Sequence, residues 1–95
     1  MIDHFLELFV SEATTRLKEL NGAYRDSDMT SLSRLSHSIA NVTGTLRGQE
    51  ALTVARRIES CLRAGGCDGL GEDMAILNVA VQQMIDVARA YLDDH

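Results

Sequence analysis

Residues 29–46 read MTSLSRLSHSIANVTGTL, and their apolar members decide the fold. Leu32, Leu35, Ile39, Val42 and Leu46 step by three, four, three and four, the spacing of one face of a bundle helix. Ahead of the stretch stand Asp26, Ser27 and Asp28, all good N-cap residue types; behind it Gly48 breaks the pattern. The same period recurs outward in both directions. Before it, a helix is predicted from about Ile2 to Tyr24, with Phe5, Phe9, Ala13, Leu17, Leu20 and Tyr24 on one face and Glu12–Arg16 as a supporting i, i+4 pair. After it, a helix over about 49–64 turns Ala51, Val54, Ala55, Ile58 and Leu62 inward and stops at Gly65-Gly66. The last, over about 72–92, presents Met74, Leu77, Val81, Met84, Ala88 and Tyr91, with Ile85 and Leu92 widening the stripe. Four amphipathic helices with short connections predict an all-α, antiparallel up-down four-helix bundle. Each must bury its stripe on the others, so none is stable alone.

Ninety-five residues make a single domain, 1–95, too short for a barrel or a full dinucleotide-binding fold. The chain has no proline to interrupt its helices and only four aromatic residues, so its core is aliphatic. A net charge of −5 argues against nucleic acid or an anionic membrane as partner and leaves a protein partner as the expectation. Cys61 and Cys67, six apart and outside any CxxC, form no disulfide framework; a reduced, cytoplasmic setting is expected, with Cys61 as a small side chain near the core. The opening Met1-Ile2-Asp3-His4 lacks the basic start of a signal peptide, and no apolar run reaches the ~18–20 residues of a membrane span.

The chemistry lies on the outer face of residues 29–46. At 100° per residue His37 falls opposite the apolar stripe, with Ser33, Ala40, Asn41 and Gly44 beside it and Arg34 on a flank. Solvated helix faces normally carry Lys, Glu, Gln and Arg; here the residues are small, and Gly44 alone costs ~1 kcal/mol of helix propensity. One explanation is a face kept low so that a partner can dock. The other is that Gly44 admits a neighbouring helix of the same bundle. An imidazole in water is mostly neutral at pH 7, and its free ring nitrogen is a competent nucleophile. No acid one turn away on the same helix orients the ring, which argues against a self-contained hydrolase.

Leu6-Glu7-Leu8-Phe9, Ser11-Glu12-Ala13, the approach from Asp28 to Leu35, Ser36-His37-Ser38-Ile39 and Ala55-Arg56-Arg57-Ile58-Glu59 together resemble a histidine-containing phosphotransfer (HPt) domain, most like those at the C-terminal ends of hybrid sensor histidine kinases. The resemblance implies a helical bundle in which His37 accepts a phosphoryl group, through Nε2, from an aspartyl phosphate of a response-regulator receiver domain and passes it to another. Ser33, Arg34, Ala40, Asn41 and Gly44 would form the docking platform. The family's His-x-x-Lys-Gly signature is altered, with Ala40 in place of the Lys and Asn41 in place of the Gly. This removes a cation and adds bulk. The domain would need no cofactor of its own, Mg²⁺ being expected on the receiver. The expected partners are receiver domains and a parent or cognate hybrid kinase. The chain would be a monomeric cytoplasmic phosphocarrier, or the cytoplasmic end of a membrane sensor kinase.

Two other readings stand beside this one. A degenerate HPt-like module would bind a receiver or kinase without transfer, and an unrelated four-helix scaffold would be indifferent to changes at Gly44. His4 and His95 share no ligand spacing with His37, and the Gly-rich stretch 65–71 lacks the Lys of a phosphate loop, so neither a metal site nor a nucleotide site is expected.

Overall fold

The computed structural model describes residues 2–45, 48–65 and 68–94. Four helices follow in order: α1 (Ile2–Arg25), α2 (Met29–Thr45), α3 (Gln49–Arg63) and α4 (Leu70–Asp93). No strand occurs among the described residues. Short connections force consecutive helices to run antiparallel, so each packs on its chain neighbours and α4 closes the ring against α1. α2 and α4 therefore lie on opposite corners. The bundle measures 45 × 22 × 19 Å.

The junction between α1 and α2 is built from local chemistry. Ser27 takes a left-handed conformation, φ 56°. The amide of Asp28 donates to the carbonyl of Ala23 at 2.9 Å, and that of Ser27 to Tyr24 at 3.2 Å, the paired bonds of a Schellman ending. Of the three candidate caps, Asp28 is the one used: its Oδ1 accepts from the Ser31 amide at 3.2 Å. That side-chain and backbone bonding by Ser31, with a smaller contribution from the Arg34 charge, holds the Asp28 carboxyl below the usual range. α3 ends where Gly65 turns left-handed, φ 85°, as its sequence predicts.

The core is aliphatic and runs the length of the ring. Leu20, Leu32, Ile39, Ile58, Leu77 and Ile85 are fully buried. Phe5, Tyr24 and Tyr91, expected inside, are instead exposed. For Phe5 and Tyr91 the reason is unequal length: α1 and α4 have 24 residues each, α2 and α3 only 17 and 15. The N-terminal end of α1 and the C-terminal end of α4 extend past the end of the shorter pair, which leaves Phe5 and Tyr91 only partly covered. Tyr24 is not explained this way, since it sits at the opposite end with its hydroxyl against Gly71 of α4. Leu46, the last expected stripe member of α2, lies outside the described residues.

Two further expectations are corrected. Arg16 does not pair with Glu12. Its Nε donates to Ser38 Oγ on α2 at 3.0 Å, and its Nη1 lies 3.4 Å from Glu19. An interhelical partner has outcompeted an exposed i, i+4 pair worth only ~0.3–0.5 kcal/mol. Cys61 is half-buried and disulfide-bonded rather than a free thiol in the core; the one other cysteine of the sequence, Cys67, lies outside the described residues.

Candidate functional site

α2 is clasped by two helices, and this sets which of its residues reach water. α1 touches it at Ser38 through Arg16. α3 touches it at His37 and beside Gly44, where an added Cβ would meet the Leu52 methyls at 3.6 and 3.7 Å. Leu32, Leu35 and Ile39 are buried as expected, but so are Ser36, Ala40 and Thr43. The exposed face shrinks to Met29, Thr30, Arg34, His37 and Asn41, with Ser33 and Gly44 half-buried along the α3 flank.

Ala40 therefore does not belong to a docking platform. It is 4% exposed and packed in the core. The apolar stripe, judged from the large residues alone, was centred too far from the α3 flank. Ser36, Ala40, Thr43 and Gly44 lie toward the α3 side of the stripe, where the Leu52 methyls pack beside Gly44. Thr43 satisfies its hydroxyl within the helix, donating to the Ile39 carbonyl at 2.8 Å. A Cβ at Gly44 would meet the Leu52 methyls only at ordinary contact distance, so helix packing does not demand glycine there, while Arg34, His37 and Asn41 stay exposed.

His37 is fixed from both sides. One residue further along α2, Arg16 ties Ser38 to α1. On the other side Glu59 of α3 reaches the imidazole, with Oε2 2.8 Å from Nδ1. The Glu59 side chain is 15% exposed and the His37 ring 60% exposed. A carboxylate only accepts hydrogen bonds, so this contact favours a proton on Nδ1 and leaves Nε2 as the nitrogen with a lone pair. Arg63, one turn on from Glu59, brings Nη2 to 3.3 Å from the same Oε2.

Sequence reasoning sought an orienting acid on α2 and found none. The acid comes from the neighbouring helix. His37 lies eleven residues before Gly48 and Glu59 eleven after it; Gly44 and Leu52 are likewise four away on either side. In an antiparallel helix pair, positions equidistant from the turn come level, and this mirror relation was the available signal. Beyond α2, Phe5 and Leu8 of α1 are exposed and share a shallow groove with Asn41 and Val42, one turn from His37. Arg57 is removed from this face by Asp73 of α4, whose carboxylate it holds at 2.7 Å. The hydrogen bond to Asp73, then its charge, raises the Arg57 pKa above the ordinary value.

The family model described as Hpt domain matches residues 4–91. The chain belongs to the Hpt family. No curated protein and no solved structure matches it. Membership accounts for the helical bundle and assigns the chain to histidine phosphotransfer in two-component signalling, where Hpt domains engage receiver domains and kinases. No helix among the described residues is long and apolar enough to cross a membrane, and none of their His, Cys, Asp and Glu side chains gather in a group of three or more able to hold a metal.

Proposed function

We propose that this Hpt domain is an active phosphocarrier and that His37 is its phosphoacceptor. The observation that carries the reading is the Glu59 carboxylate 2.8 Å from Nδ1 of a ring that is otherwise open to solvent. Nε2 attacks the phosphorus of an aspartyl phosphate on a receiver. The P–Nε2 bond forms as the P–O bond to the aspartate breaks, and the aspartate leaves as a carboxylate. Positive charge that develops on the ring is stabilised by Glu59 through Nδ1–H. Transfer onward to a second receiver reverses these steps. Such chemistry depends on positioning and electrostatics rather than on a protein acid or base at the phosphoryl group. Ring orientation by Glu59 is this domain's share of the positioning, while Mg²⁺ belongs to the receiver.

The docking surface we assign comprises Arg34, Asn41 and the half-buried Ser33 and Gly44, extended by Phe5 and Leu8. Ala40, being buried, contributes only spacing.

The test is incubation with phosphorylated receivers and Mg²⁺, following acid-labile phosphate onto the domain, with His37→Gln as control. Phosphate on the wild type and none on the variant is the expected result. No phosphate from several receivers that load an ordinary Hpt domain would replace this reading with a module that binds without transfer.

A further inference from the structure

We propose that Arg63 is the cation that meets the phosphoryl group on His37. The proposal rests on the carrier reading above and concerns the electrostatics of the loaded state. Phosphorylation places about two negative charges on the ring beside Glu59, a like-charge contact that needs a counter-ion. Ala40 stands where the family signature has its lysine, and its position is buried, so α2 offers no cation there.

Two other arginines of this region are committed elsewhere. Arg16 bonds Ser38 and Glu19, and Arg57 is held by both carboxylate oxygens of Asp73. Arg34 and Arg56 are exposed, but neither reaches Glu59 or the imidazole. Arg63 differs. It shares one oxygen of Glu59 with His37 at 3.3 Å, and its side chain is 74% exposed. This single contact leaves most of its donors available. A guanidinium presents a planar fork that matches phosphate oxygens, and its flexible stem can swing from Glu59 to a phosphoryl group on the same imidazole. In the unloaded state Glu59 parks Arg63 at the site. In the loaded state Arg63 bridges the carboxylate and the phosphoryl oxygens and relieves their repulsion.

The experiment measures single-turnover transfer from a phosphorylated receiver to wild type, Arg63→Gln, Arg63→Lys, Glu59→Gln and the double variant Glu59→Gln/Arg63→Gln, at saturating and sub-saturating receiver. Circular dichroism verifies the fold of each; Arg63 is exposed at a helix end, so its variants keep the fold. Arg63→Gln is expected to lower the saturating rate by at least about tenfold and to shorten the phosphohistidine half-life, with Arg63→Lys recovering much of both. The double variant is expected to be slower than Glu59→Gln alone. A saturating rate within about twofold of wild type for Arg63→Gln overturns the proposal while leaving the carrier reading intact. So does a double variant no slower than Glu59→Gln, because Arg63 would then act only by holding Glu59. A wild type that accepts no phosphate overturns both.

Discussion

At the scale of single residues, the site depends on one carboxylate in the right place. Glu59 costs little to hold, since it stays partly hydrated and carries Arg63 as a second partner. What it supplies is a preference for one ring tautomer and one ring orientation. Glu59→Gln should therefore slow phosphorylation of His37 by about 10–100-fold, by analogy with losing a carboxylate that orients a metal-bound histidine. The ¹⁵N shifts of the ring should show the Nε2–H tautomer gaining population, while thermal stability changes little. Ala40 gives the opposite lesson. The family signature has a lysine at this position. The burial of Ala40 predicts that Ala40→Lys overpacks the α2–α3 seam, destabilises the domain by about 1–3 kcal/mol and yields no gain in transfer rate. Urea denaturation and the phosphate assay, run on the same preparation, check both halves.

The individual helices owe their limits to residues whose contributions can be isolated. Ser27 occupies the left-handed position at the end of α1, a conformation costing a non-glycine residue about 1–2 kcal/mol. Ser27→Gly removes that strain but frees the unfolded chain, so a net gain of about 0.5–1 kcal/mol is expected in thermal unfolding. Asp28 caps α2 and thereby sets the register on which His37 rides. Its carboxyl is held below the usual range chiefly by Ser31. A depressed carboxyl stabilises the fold above its unfolded pKa, and that contribution is lost as pH falls through the folded value. Asp28→Asn keeps a capping side chain but abolishes this titration. Urea midpoints followed from about pH 6 to pH 2 should fall less steeply for the variant than for wild type.

Taken whole, the molecule is a thin bundle, and the proposed function gives the outer face of α2 to a partner. Leu32 and Ile58 are fully buried beneath that face, and either one changed to Ala should cost about 2–5 kcal/mol in a single cooperative transition. The net charge is −5, yet α2 contains no acid at all, and Arg34 and Arg63 flank His37. The reactive face is thus positive relative to the rest of the surface. Under the proposed function, association with an acidic receiver pocket should slow as salt rises, because steering between exposed charges is screened beyond ~10 Å at 0.1 M. Leu8→Glu, on the exposed groove of α1, should weaken receiver binding without unfolding the bundle, read by calorimetric titration beside a melting curve.

Periodicity by itself determined the number of helices, their approximate limits and most of the core, because a three–four apolar step with caps and glycines at its ends has one economical solution. It also singled out His37, since a histidine opposite a strong stripe faces water in any bundle of this kind. Three things waited for the tertiary structure. The small residues Ser36, Ala40 and Thr43 are buried by α3, which hydropathy of α2 alone cannot register. Phe5 and Tyr91 are left partly in solvent because the neighbouring helices end first. Glu59 reaches His37, with Arg63 held beside it on the same carboxylate, only because the turn at Gly48 folds α3 back along α2, bringing together residues more than twenty positions apart. A helix's own period reports which side of it is apolar; only the packing of its neighbours decides how wide that side is and which foreign side chains arrive at its edge.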